Sequence, residues 1–275
     1  MNKKIGIQGI KGSFHHLVAM DYYHRDVEVL EYLSFHELAQ KLASGEADEA
    51  VMAIENSIAG SILPNYALID EYDLKVIGEH YTPVNMNLMA IPGQKIEDIK
   101  KVFSHPMALL QCKEFFKKHP HIKLIEDADT AEAAKRISEN DTRKAAAVAS
   151  PAAAEMYDLE ILASEIHTIK SNATRFLVLG REEKQPNGEK LDKASVKFDL
   201  KSERGSLVSV LNIIRDCYLD MTKIQSLPII DAPWKYSFFV DLVFERTEDF
   251  EKGMEVLKIM TEDLKILGIY KSNLS

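Results

Sequence analysis

The chain has 275 residues, 46% of them hydrophobic, and a formal charge of -9; this is enough length for two domains or one larger one and enough apolar content for packed cores. The acidic balance argues against a general nucleic-acid-binding surface, but leaves room for an anionic small molecule held by a few local donors. Cys112 and Cys217 stand outside any paired metal spacing, and no apolar run suits a membrane helix or a secretory core, which together fit a reduced, cytoplasmic setting.

From the N-terminus, "KIGIQG" reads as a strand followed by a helix from about Ser13, and "VEVLEYL" as the next strand. Ser34 then opens a helix with Glu37 at capping-box spacing. The runs "AVMAI", "LKVIGEHY", "VNMNLMAI" and "VFS" follow as strands, and Pro106 opens a helix where its missing N–H is no loss. Next come "IKLI", a helix begun by Asp129 with Glu132 in its first turn, "AAAVAS", and finally "RFLVLG". Strands alternating with helices predict an α/β domain with a largely parallel sheet. The charged stretch "REEKQPNGEKLDKAS", with Pro186 and an Asn187-Gly188 turn, breaks the rhythm and reads as a linker. Beyond it lie the strand "SVKFDL" and a helix with Leu207, Val210, Leu211 and Ile214 on one face. Two strands, "MTKIQSLPI" and "KYSFFVDLVF", are joined by a turn containing Asp231, Pro233 and Trp234. A helix carrying Phe250, Met254, Leu257 and Leu264 and a short strand "LGIYKS" complete a ferredoxin-like βαββαβ order.

Four motifs carry polar groups where chemistry is plausible. "GIKGSF" joins a strand to a helix; Ser13 can cap that helix beside amides suited to an anion, or the segment is an ordinary βα turn. It lacks the third glycine of a dinucleotide fingerprint. "AIENSIAGSI" sets Glu55, Asn56 and Ser57 at a strand's carboxyl end, where α/β sheets gather ligands, or where Asn-Ser simply caps. In "SHPMALLQC", His105 either meets a ligand or caps a helix, and His15 and His16 carry the same two readings. In "IKSNATRFLVLG", polar Ser171, Asn172 and Thr174 run into Arg175 at the mouth of an apolar strand. A buried arginine must find a partner, so the segment is either a structural ion pair beside a threonine or a site. No cluster of His, Cys or carboxylates has metal-ligand spacing.

Taken in order, "GIKGSF", "AIENSIAGSI", "SHPMALLQC", "AAAVASPAAAEMYDLEILASEI" and "NATRFLVLG" resemble the prephenate dehydratases over almost the whole chain, and "RGSLVSVLNII…LDMTKIQSLPI…WKYSFFVDL" resembles the regulatory ACT domain attached to them. The resemblance implies an α/β fold with a two-lobed, periplasmic-binding-protein-like catalytic region over 1–181. Lobe one would span about 1–80 with 168–181 and lobe two 81–167, followed by a linker over 182–194 and a βαββαβ ACT domain over 195–275. It implies decarboxylative dehydration of prephenate to phenylpyruvate on the way to L-phenylalanine, driven by aromatisation and needing neither cofactor nor metal.

On the same basis Thr174 is the essential hydroxyl, helping the ring hydroxyl depart, although a threonine is a weak acid and the ultimate proton source stays open. Arg175 pairs with a substrate carboxylate or braces the cleft, and Phe176 packs beside the ring. Ser13, Glu55, Asn56, Ser57 and Asn172 line the substrate pocket. Phenylalanine, as effector, would bind between ACT domains of a homodimer or homotetramer at two motifs that here read Gly205-Ser206-Leu207 and Gln225-Ser226-Leu227-Pro228. The family's usual Gly-Ala-Leu and Glu-Ser-Arg-Pro differ from these, so one acid and one base are lost. Arogenate dehydratase and a non-catalytic amino-acid or carboxylate sensor are the alternatives, and no chorismate mutase segment precedes the catalytic region.

Overall fold

The structure, a computed structural model, describes residues 2–24, 27–183, 188–201, 203–229 and 232–273; Pro186 and Asn187 of the expected linker turn and Asp231 of the later turn lie outside them. The first lobe begins β1 (Lys3–Gln8), α1 (Phe14–Tyr22), β2 (Val27–Tyr32), α2 (Phe35–Ala43), β3 (Glu49–Asn56), β4 (Gly60–Ser61), α3 (Leu63–Glu71) and β5 (Lys75–Pro83). Local chemistry sets the helix starts. The Ser13 hydroxyl accepts from His16 N–H, the Ser34 hydroxyl accepts from Glu37 N–H, and Pro64 enters α3 in its first turn. The Glu37 carboxylate reaches back to Leu33 N–H, one residue beyond the usual capping-box donor.

The chain then builds a second sheet from β6 (Asn87–Ala90), β7 (Lys101–Ser104), α4 (Pro106–Gln111), α5 (Lys113–Lys117), β8 (Lys123–Glu126), α6 (Thr130–Glu139), β9 (Ala145–Ala149), α7 (Pro151–Met156) and β10 (Glu160–Ala163). It returns to the first sheet as β11 (Ala173–Gly180). The strand orders are β2-β1-β3-β11-β5, with β4 beside β3, and β10-β6-β9-β7-β8. The expectation of a largely parallel sheet needs correction. β11 is antiparallel to both β3 and β5, and β6 is antiparallel to both β9 and β10. The crossing and returning segments enter their sheets directly, without the helical crossover that parallel pairing requires.

The C-terminal unit is β12 (Lys193–Asp199), α8 (Ser206–Asp216), β13 (Asp220–Pro228), β14 (Tyr236–Val243), α9 (Thr247–Met260) and β15 (Glu262–Tyr270), in sheet order β13-β14-β12-β15. This is the βαββαβ arrangement of an ACT domain, with β15 longer than the short strand expected. Both helices pack on one face over Val196, Phe198, Val240 and Leu242. The other face is covered by lobe one: Phe239, Leu267 and Tyr270 share a core with Tyr66, Ile69, Val76 and Leu177. The approach there is backbone to backbone, since a Cβ on Gly268 would sit 1.9 Å from the Val76 carbonyl oxygen. The fold is therefore α/β, with two periplasmic-binding-protein-like lobes and an ACT domain docked on the first. No described helix is long and apolar enough to cross a membrane.

Candidate active site

β11 enters lobe one between β3 and β5, and its register decides which side chains meet. Thr174 stands opposite Asn56 on one side and Thr82 on the other, while Arg175 stands opposite Glu55 and Tyr81. Successive residues of a strand point to opposite faces, so Thr174 and Arg175 cannot serve the same surface. Asn56 links the strands. Its Oδ1 accepts from Ile58 and Ala59 N–H at 3.0 and 2.9 Å, an Asx turn that fixes the amide. Its Nδ2 is thereby aimed across the sheet, donating to Asn172 Oδ1 at 2.7 Å, Thr174 Oγ1 at 2.9 Å and the Ala173 carbonyl at 3.2 Å. Because Thr174 Oγ1 accepts from this amide, its own O–H remains free to donate.

Asn172 is buried and reaches lobe two, donating to Gln111 Oε1 at 2.9 Å. The Ser57 hydroxyl accepts from Ala173 N–H at 3.0 Å, and Ser57 N–H donates to the Ala173 carbonyl at 2.9 Å. Asn56, Ser57, Asn172 and Thr174 thus form one hydrogen-bonded group. Thr82, absent from the sequence reading, stands in the same row with a buried Oγ1 that has no partner among the described residues. Only the antiparallel register brings it there, and no motif marks it.

Other residues lie elsewhere. Arg175, only 5% exposed, turns away from Thr174 and toward the ACT domain. Its Nε donates to Glu79 at 2.8 Å, one terminal nitrogen donates to Asp241, and the other to Tyr270 OH at 3.0 Å. Burial pulls the guanidinium's pKa down, but the fields of Asp241, Tyr270 and Glu79 outweigh it and hold the pKa well above its ordinary value. Of its two expected roles, pairing with a substrate carboxylate or bracing the cleft, the first has no support in this direction: each of the three nitrogens donates within an interdomain cluster.

Glu55 also departs from the expected pocket lining. A bulge lets β3 carry Ile54 as an extra residue between the partners of Arg175 and Phe176, and Glu55 instead meets Lys223 of the ACT domain at 2.5 Å. Phe176, 1% exposed, packs edge-on against His15 within the core of Ile5, Ile7 and Val18. Ser13 caps α1 and is buried; no hydrogen bond joins it to Asn56 or Thr174. The Ser150 hydroxyl of lobe two donates to the neighbouring Gly12 carbonyl at 2.7 Å, so the turn bridges the lobes.

The three histidines of these motifs each accept a hydrogen bond from a backbone amide. His105 Nδ1 accepts from Met107 N–H at 3.2 Å as a helix cap, and His16 Nδ1 accepts from Gly12 N–H at 3.2 Å. His15 Nε2 accepts from Ala53 N–H at 3.3 Å, and burial lowers its pKa to about 3.

The two motifs expected to bind an effector lie at one end of the ACT sheet, where Ser226 pairs with Phe238 and Phe238 with Phe198. Gly205, at φ 87°, makes the turn into α8, and the Ser206 hydroxyl donates to the Glu203 carbonyl at 3.1 Å. Ser206 and Leu207 line a cavity of about 160 Å³ with Trp234, Tyr236 and Phe238. The Gln225 amide donates to the Ser226 carbonyl at 3.0 Å, Leu227 packs on the core shared with lobe one, and Pro228 ends β13. Within one chain, residues 225–228 stay outside that cavity.

Comparison with known proteins gives this arrangement its lineage. A relative from Arabidopsis thaliana, arogenate dehydratase/prephenate dehydratase 2, is 34% identical over 97% of this chain and 72% of its own length. The crystal structure of a prephenate dehydratase from Arthrobacter aurescens in complex with L-Phe superposes with a TM-score of 0.89 at 25% identity, covering 98% of this chain and 90% of that one. GqqA, a quorum-quenching acylase, superposes equally well, with a TM-score of 0.89 at 26% identity over 99% of both chains. The model of the family described as prephenate dehydratase matches residues 5–184, a span that takes in both lobes and the whole Asn56–Asn172–Thr174 group. By that match, this chain belongs to the prephenate dehydratase family.

Proposed function

We propose that the protein is a carbon–oxygen lyase that converts prephenate to phenylpyruvate, with Thr174 as the hydroxyl acting at the leaving group. In this reaction the bond from the ring to its carboxylate breaks and carbon dioxide departs. The released electron pair moves through the ring, and the carbon–oxygen bond at the opposite ring carbon breaks. The hydroxyl leaves as water after taking a proton, and the ring becomes aromatic. The observation that carries the reading is the Asn56 amide, locked by its own turn, donating to Thr174 Oγ1 at 2.9 Å. It orients the threonine so that its O–H points away from Asn56, free to hydrogen-bond the departing oxygen. A positioned proton donor contributes about 10²–10⁴-fold. Ser57 holds the neighbouring backbone at Ala173, Asn172 ties the Asn56 amide to Gln111 of lobe two, and Arg175 and Glu55 act outside the pocket.

Thr174→Ala tests this: phenylpyruvate formation from prephenate should fall about 10²-fold or more with an unchanged melting temperature. A folded Thr174→Ala enzyme with near-wild-type turnover would sink the role.

The same reading takes 1–181 as the catalytic region, 182–194 as linker, its last two residues already paired in β12, and 195–275 as an ACT domain that binds phenylalanine. The cavity at Ser206 and Leu207 would be completed by Gln225–Pro228 of a second copy, in a homodimer or homotetramer. The L-Phe bound to the Arthrobacter aurescens relative supports this. The missing acid and base predict weaker capture. Phenylalanine titration of activity and sedimentation is the check, and no response in either rules out the effector role.

Two other activities follow from the relatives. The Arabidopsis thaliana relative's name includes arogenate dehydratase, so prephenate and arogenate should be assayed side by side. An acylase activity, suggested by GqqA, would need a base to activate the threonine. The group bonded to Thr174 Oγ1 is instead an amide N–H, which favours the dehydratase.

A further inference from the structure

Two charged side chains flank the Asn56–Thr174 pair and reach from the catalytic region to the ACT domain. Glu55 and Arg175 are cross-strand partners one residue along from Asn56 and Thr174. Each is gripped by the ACT domain: Lys223 Nζ lies 2.5 Å from Glu55 Oε1 and 2.7 Å from Ser61 Oγ, and Asp241 pairs with Arg175. Lys223 and Asp241 are themselves cross-strand partners, on β13 and β14. Asp241 is held in turn by the Ser195 hydroxyl at 2.6 Å. One rung of the ACT sheet is therefore clamped onto one rung of the lobe-one sheet, at the β3 bulge, and the next rung is Asn56–Thr174.

We propose that Lys223 and Asp241 are positioning residues for the reaction. Acting through Glu55 and Arg175, they fix how β3 and β11 sit at the bulge, and so hold Asn56 against Thr174. This rests on the dehydratase reading of Thr174. The bulge matters because it is where strand geometry can be re-aimed, and a misplacement of about 1 Å at a reacting group can cost about 10²-fold. The Arg175–Asp241 clamp is shielded from water, its side chains 5% and 7% exposed, while the Lys223–Glu55 clamp is half-buried, at 15% and 32%. Lys223 also lies two residues before Gln225 on the same strand, so any shift of the Gln225–Pro228 segment would reach Asn56 through a single ion pair.

The interface supplies its own control. Lys265 pairs with Asp70 at 2.6 Å, another contact between the ACT domain and lobe one, but Asp70 stands near the end of α3 and its ion pairs are with Lys265 and Lys197, not with β3 or β11. The experiment measures kcat and KM for prephenate in the wild type, Lys223→Met, Lys223→Arg, Lys265→Met, Glu55→Lys, Lys223→Glu, and the exchanged pair Lys223→Glu with Glu55→Lys. Lys223→Met should lower kcat about 10-fold with KM within about 2-fold, Lys223→Arg should restore most of it, and Lys265→Met should match wild type. The exchanged pair should recover kcat to within about 3-fold of wild type while each single change stays low. A wild-type kcat in Lys223→Met, an equal loss in Lys265→Met, or an exchanged pair no better than its singles overturns the positioning role. A wild type that forms no phenylpyruvate overturns the dehydratase reading instead, and the positioning role with it.

Discussion

Asn56 offers one carbonyl oxygen and two amide hydrogens, and all are engaged: the oxygen by two backbone N–H groups, the hydrogens by Asn172, Ala173 and Thr174. Asn56→Asp would keep the turn acceptor, remove the donors, and set a carboxylate against the oxygens of Asn172, Ala173 and Thr174. It is expected to lower kcat about 10²-fold, read as phenylpyruvate formation, while circular dichroism stays native. His15 sets a different test. Its ring accepts from Ala53 N–H and is neutral in the fold, because burial lowers its pKa from 6.5 to about 3. Between those values the unfolded chain binds a proton that the native chain does not. Its contribution is therefore intact above pH 6.5 and declines as the pH falls toward 3, by about 1.4 kcal/mol per unit. His15→Gln keeps an acceptor without the titration, so its urea midpoint should fall less steeply between pH 6.5 and pH 4. At this scale Thr174 and Asn56 were legible because their motifs name them. The direction of Arg175 was not, because a motif does not say which face of the strand each residue takes.

Strands and helices reveal themselves by local pattern, and most were readable: Ser13, Ser34 and Asp129 cap the helices that follow them. Register is a property of the partner strand, and so the bulge at Ile54 leaves no mark on the β3 sequence. That one residue decides which of Glu55 and Asn56 faces the ACT domain and which meets Thr174. The contact of β15 on β5 is equally silent in the sequence, although it rests on a single glycine. A methyl on Gly268 would lie 1.9 Å from the Val76 carbonyl oxygen, and the obstacle is backbone, which no rotamer change can clear. Gly268→Ala should therefore push the ACT sheet off lobe one, with a loss of about 3 kcal/mol or more in urea unfolding. Kinetics should show it too, since the clamps on Glu55 and Arg175 would part: kcat should fall together with stability.

The whole molecule is joined by a buried cluster that draws on both regions. Arg175 and Glu79 come from the catalytic strands, and Lys193, Asp241, Ser195 and Tyr270 from the ACT domain; two bases face two acids. The sequence implied that a buried Arg175 needs a partner, but Asp241 lies 66 positions along the chain, in a unit whose docking no local pattern records. Such a cluster adds little stability when complete, and is costly to break, because removing one member leaves a buried charge unmatched. The ACT domain has its own helix-covered core around Val196, Phe198, Val240 and Leu257, so it can stay folded if the junction fails. The wild type should therefore unfold in one calorimetric transition, with catalytic and ACT regions coupled through the cluster and the apolar contacts of Tyr66, Phe239 and Leu267. Arg175→Met leaves Glu79 and Asp241 with Lys193 alone and should cost about 3–5 kcal/mol. It should also split the transition in two, the catalytic region melting first. Adding Asp241→Leu removes the stranded carboxylate and should recover part of the loss. If Arg175→Met still melts as one transition at the wild-type temperature, the cluster does not couple the two regions.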